Sequence, residues 1–231
     1  MWASIPNDYL LRATSTANLD VGRVAALPMP DSAHPLASAL LLRTLRLNCV
    51  TNAYSSLWEK LFFDPAWPAS ETWASEWPEL RPIADVEREW TTAVPLRSEY
   101  ARRAALVEID ALVAVWLGMS ADALIAAYRG RFPVLLKYEA VTWFDADGWK
   151  LAGNARTIGH RQTKAAWAQL EAYLDDRSEP KTVPPEGFTP PFYKADREKE
   201  MRAAHAVFKA RLDAATARGE WDPVTRKMVT E

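Results

Sequence analysis

One stretch, Ser98–Arg131, constrains the fold of this chain more than any other. Within it Leu106, Ile109, Leu112, Val113, Trp116 and Leu117 return every three or four residues, a spacing that predicts a helix with an apolar face. Ser98 stands where an N-cap belongs and Glu99 follows in the positive first turn. Gly118 comes directly after the last periodic residue, where a left-handed C′ position favours glycine. A second helix is predicted at once, with Ser120 as its cap, Asp122 in its first turn, and Leu124, Ile125 and Tyr128 turned inward. Gly130 ends that helix and Pro133 bars its continuation. Two helices with so short a link pack as a hairpin, and the rest of the chain has to lean on it. The stretch is scaffold and carries no catalytic constellation.

The remaining segments are read around that hairpin. Residues 1–36 are expected to be extended, because Pro28 and Pro30 interrupt the apolar passage before His34. Ala37–Leu61 reads as one helix, with Leu40, Leu41, Leu45, Val50, Tyr54, Leu57, Trp58 and Leu61 on a wide apolar face. Asp64–Pro82, with Trp67, Trp73 and Trp77 among four prolines, reads as an irregular loop with one short helical turn. A short helix is expected around Ile83–Trp90. After Pro133 the period changes from helical to alternating, so Val141–Leu151 is a β-hairpin with Gly148 supplying a positive φ. Thr163–Leu174 and Asp196–Ala217 return to helix, the latter with Met201, Ala204, Val207, Phe208 and Leu212 on one face. The expected fold class is therefore α+β, predominantly α-helical, with a central helical hairpin and a small β-hairpin near 141–151. A helical domain spans 37–217, and 218–231 is expected to form a flexible tail.

The net charge of -2 gives no global basic field, so any nucleic-acid surface must be local. The single Cys49 excludes an intramolecular disulfide and argues for the cytoplasm. No apolar run approaches the ~20 residues of a membrane span, and Met1–Leu10 lacks the features of a signal peptide, so no membrane partner is expected.

Most motifs that could carry chemistry fail on their neighbours. His34, His160 and His205 are isolated, and Cys49 has no partner at ligand spacing, so no metal site is expected. Asp145-x-Asp147-Gly148 opens like a calcium loop, but Trp149 and Lys150 follow where a ligand and the sharp-turn glycine are needed. Glu179-Pro180-Lys181 matches the acid–lysine spacing of a nuclease, yet Pro180 breaks the strand that would hold it. No glycine-rich phosphate loop and no nucleophile elbow is present. Thr189-Pro190-Pro191-Phe192 has the outline of an amino-methyltransferase motif, but Thr cannot serve as the usual Asn or Asp does, and no apolar strand precedes it. Catalytic, cofactor-binding and metal residues are thus none. Arg102 falls among the apolar positions, and its stem is expected to cover the core while its head pairs with an acid such as Glu99. Arg156, His160, Arg161 and Lys164 make the best basic patch; a solvated loop and phosphate contact are both open readings.

The run from Val86 to Leu135, the hairpin after it and the later PFYKADREKEMRAAHAVFKARL together resemble the C-terminal region of very large adenine-specific DNA methyltransferases. These are the phage-defence enzymes of the phage growth limitation (BREX) type and the related fused restriction–modification proteins. The segment DYLLRATSTANLDVGRVAALPMP is similar to the stretch just after their target-recognition region. The resemblance covers nearly the whole chain, and ALVEID and YRGRFPVL are its most specific phrases. It implies S-adenosylmethionine as cofactor of the full enzyme, but the family's cofactor and catalytic motifs lie upstream and have no match here. The implied role is that of an accessory part that braces the recognition domain, contacts double-stranded DNA and docks other defence proteins. The DNA contacts would be Arg156, Arg161 and Lys164, with Arg12 and Arg23 as secondary ones. Alone, such a chain is expected to be inactive. The competing reading is a helical protein-interaction adaptor in a defence complex without direct DNA contact.

Overall fold

A computed structural model describes residues 1, 3–13, 21–62, 71–152, 162–177, 183–225 and 227–228. The described residues form a predominantly helical α+β structure: α1 (Ile5–Ala13), α2 (Val21–Ala26), α3 (Ala37–Asn48), α4 (Ser55–Phe62), α5 (Glu99–Trp116), α6 (Ala121–Arg131), α7 (Pro133–Glu139), α8 (Lys164–Asp175) and α9 (Arg197–Ala217). A three-stranded antiparallel sheet has the order β2-β1-β3, from β1 (Thr142–Phe144), β2 (Lys150–Ala152) and β3 (Tyr193–Lys194). A second antiparallel pair joins β4 (Trp221–Asp222) to β5 (Lys227–Met228).

The caps of the central hairpin form as the sequence predicts. Ser98 Oγ accepts from the Ala101 N–H at 3.2 Å and Ser120 Oγ accepts from the Ala123 N–H at 3.2 Å. Gly118 between them has φ +74°. The packing differs from the expectation. In α5 only Glu99, Arg102, Leu106 and Trp116 are not fully buried, so this helix is enclosed on nearly all sides. Leu106, expected inside, is 42% exposed and lies on the outermost stripe of the helix. The deepest side carries the alanines Ala104, Ala105, Ala111 and Ala114, whose small side chains let neighbouring backbones come close. The chief neighbour of α5 is α9, through Met201, Ala204 and Phe208, rather than its hairpin partner α6. Val207, expected on that α9 face, is half exposed.

Four segments depart from the sequence reading. Within residues 1–36, 5–13 and 21–26 are helical (α1 and α2) rather than extended. Ala37–Leu61 is two helices, because α3 stops at Cys49, whose carbonyl accepts from the Trp90 indole, and Thr51 turns extended. Val50, Tyr54 and Leu57 are then left partly exposed. No helix forms at Ile83–Trp90, where side chains from elsewhere claim carbonyls: Arg46 takes that of Ile83, and Trp58 takes that of Glu87. Finally, 218–231 is no free tail in its described part. Trp221 is only 5% exposed and packs edge-on against His34, with ring centroids 4.5 Å apart. Pro133 does end α6, but it also opens α7 at the first helical position, a helix the sequence reading did not foresee.

The β-hairpin forms in the predicted place, with Trp143 opposite Leu151. Gly148 at its turn has φ +80°, and a Cβ there would lie 2.7 Å from Ser98 Cβ and Oγ. The Gly148 carbonyl accepts from the Tyr100 N–H at 3.1 Å, which docks the hairpin on the start of α5. On the opposite face of the sheet Leu151 packs with Ala166 and Leu170 of α8 and with Phe188.

Candidate functional site

The interior of α5 holds three charged residues, Arg103, Glu108 and Asp110, and each anchors a different part of the chain. Glu108 is completely buried. Its Oε2 takes the Arg43 guanidinium, with Nη2 at 2.6 Å. Its Oε1 accepts from the N–H groups of Ala74 and Ser75 and from the Trp77 indole, at 2.7, 3.0 and 2.8 Å. Arg43 also donates to the carbonyls of Ala39 and Thr72 and lies over the Phe208 ring. Glu71, next to it, pairs with Arg211 at 3.1 Å. A coil without secondary structure is thereby fixed between α3, α5 and α9. Five donors on one carboxylate offset the desolvation that would otherwise make a buried charge costly.

A second cluster ties the N-terminal segment to α7 and α9. Asp110 accepts from the Ile5 N–H at 2.8 Å and from Arg197 Nη1 at 2.8 Å. Burial pushes its carboxyl up to about 6, against the pull of Arg197 and the Ile5 N–H. Arg197 also reaches Glu139 at 3.2 Å, Glu139 pairs with Arg103, and Arg103 pairs with Glu200. Burial pushes Glu139 upward, but Arg103 and Arg197 outweigh it and hold the carboxyl below its ordinary value. These groups are engaged with one another, which suits bracing and leaves little for proton transfer to a substrate. The charges inside an otherwise apolar ALVEID were a visible signal that the sequence reading did not use.

The predicted DNA contacts are spread over several elements. Arg156 and Arg161 lie outside the described residues, as does His160. Arg23 falls within α2, where the backbone alone is described. Arg12 closes α1, pairs with Asp8 at 3.0 Å and lies over the Phe132 ring, 5.1 Å from its centroid. Lys164 is exposed at the opening of α8, beside the Thr163 cap. The sequence reading missed Gln162, which is 3% exposed. Its amide accepts from the Ala152 N–H and donates to the Ala152 carbonyl, both at 2.8 Å. The side chain acts as a surrogate strand on the edge of β2.

The other candidates resolve structurally. Arg102 donates to the carbonyls of Leu47 and Leu96 at 3.1 Å, not to Glu99, whose carboxylate accepts from the Lys150 N–H. Asp145 accepts from the N–H groups of Trp149 and Thr189, and the Thr189 hydroxyl donates to Asp147 at 2.8 Å. The acidic turn and the Thr189–Phe192 motif thus hold each other. His34 stacks on Trp116, His205 bonds the Met119 carbonyl, and Cys49 is buried. No group of three metal-ligating side chains occurs among the described residues. No described helix is long and apolar enough to cross a membrane. No family model, curated protein or solved structure is significantly similar to the chain.

Proposed function

We propose that this chain is the C-terminal accessory part of a large adenine-specific DNA methyltransferase of the phage growth limitation (BREX) or fused restriction–modification type. Its role is to brace the recognition domain and contact the duplex backbone, while S-adenosylmethionine is bound elsewhere in the full enzyme. One observation carries the DNA part of this reading: Lys164 is exposed at the opening of α8, two residues after Gln162, whose side-chain amide is bonded to Ala152 at the edge of β2. An exposed cation at a fixed helix start suits phosphate contact, which positions a protein without reading sequence. The bracing part draws on the ties from α5 to Ile5 and to the coil at 71–77, which make the domain a fixed support.

The test is fluorescence anisotropy of a labelled duplex over a salt series. The expected affinity is weak and indifferent to sequence, and it falls by roughly 0.9 log units per log unit of salt for each phosphate neutralised. Arg161→Ala with Lys164→Ala should flatten the slope by about two contacts. Calorimetry with S-adenosylmethionine should show no stoichiometric binding to the chain alone.

The second reading, a protein-interaction adaptor without DNA contact, is favoured by the pairing of surface cations. Arg12, Arg129, Arg202, Lys209 and Arg218 each sit against a carboxylate, which weakens any basic field. Equal salt slopes for wild type and double variant select it.

A further inference from the structure

Trp116, at the end of α5, has one indole face stacked on the His34 imidazole, with centroids 3.7 Å apart and planes 13° from parallel. Trp116 also lines a cavity of about 300 Å³ between α3 and the turn at Pro30–Ser32. That volume is at the small end of the roughly 300–1,000 Å³ of ligand pockets. Leu40, Leu41, Pro30 and Met1 supply apolar walls, and Asp31 is the one carboxylate among the lining residues. Asp31 Oδ1 accepts from the Ala33 N–H at 2.9 Å, which fixes the side chain at the rim.

The charges around the cavity favour a positive guest. His34 Nδ1 accepts from the Leu36 N–H, so the imidazole behind Trp116 is oriented as a neutral ring. Burial lowers its pKa to about 4, so it adds no repelling charge near neutrality. An indole offers a negative π face, and a cation held against it gains further when a carboxylate stands nearby.

We propose that this cavity is a binding site for a small organic cation of the quaternary ammonium class, with Trp116 as its aromatic wall and Asp31 as its counter-charge. The site does not depend on the methyltransferase reading. The test titrates the chain with choline and with its neutral isostere 3,3-dimethylbutan-1-ol, by calorimetry. Choline is expected to bind one site about tenfold more tightly than the alcohol, the gain from one cation–π contact and an acidic rim. Asp31→Asn keeps the turn-forming side chain and should abolish that preference while leaving the alcohol's affinity unchanged. Trp116→Leu should weaken both. Equal binding of the two probes, no binding of either, or an unchanged preference in Asp31→Asn would each overturn the assignment.

Discussion

Arg43 and Glu108 meet with Nη2 2.6 Å from Oε2, and neither side chain has any exposed surface. Glu108→Ala would leave the Arg43 charge with Glu71 at 3.5 Å and the carbonyls of Ala39 and Thr72, and strand the N–H donors of Ala74, Ser75 and Trp77. Breaking a buried pair this way costs ~3–5 kcal/mol. Urea unfolding should show that loss, and Glu108→Leu combined with Arg43→Met should recover part of it by removing both charges. A loss below ~1 kcal/mol in the single variant would mean that water reaches the pair.

Asp110 gives a pH dependence of known sign. Its folded pKa of about 6 lies above the ordinary 3.8, so its contribution to stability is full below pH 3.8 and is lost as pH rises through about 6. Glu139 has a lowered pKa and acts oppositely, but it is common to wild type and variant. The stability of wild type minus that of Asp110→Asn should therefore fall between pH 4 and pH 6.5. Thermal melts across that range decide it; a rising difference would show that Arg197 dominates.

Trp221 tests whether the C-terminal segment is structural. Trp221→Ala removes a buried ring from His34 and should cost ~3 kcal/mol, whereas a frayed end would give no change in the melt.

Gly148→Ala combines a positive φ with a Cβ only 2.7 Å from Ser98. It should destabilise by more than ~1 kcal/mol and lower protection of the first-turn amides of α5 in hydrogen exchange.

Gln162→Ala leaves every charge in place but removes both hydrogen bonds to Ala152. Duplex affinity should drop by roughly three- to tenfold, because the residues leading into Lys164 must then be ordered on binding. The salt slope should stay the same, which separates this effect from that of Arg161→Ala.

The sequence by itself determined the local features. The Ser98 and Ser120 caps, the positive φ at Gly118 and Gly148, the hairpin pairing of Trp143 with Leu151 and the span of α9 all depend on residues close in the chain. Tertiary structure decided which side of α5 is deepest, since a helix enclosed on nearly all sides has no polar face to betray its orientation. It also decided where α3 stops, because the Cys49 carbonyl is claimed by an indole 41 residues away. The helix expected at Ile83–Trp90 failed for the same reason, its carbonyls being taken by Arg46 and Trp58. The Trp116 cavity and the Glu108 cluster are likewise products of long-range contact. A polar side chain shows its type in the sequence, but its partner is fixed only when distant segments pack and every buried donor and acceptor must be satisfied.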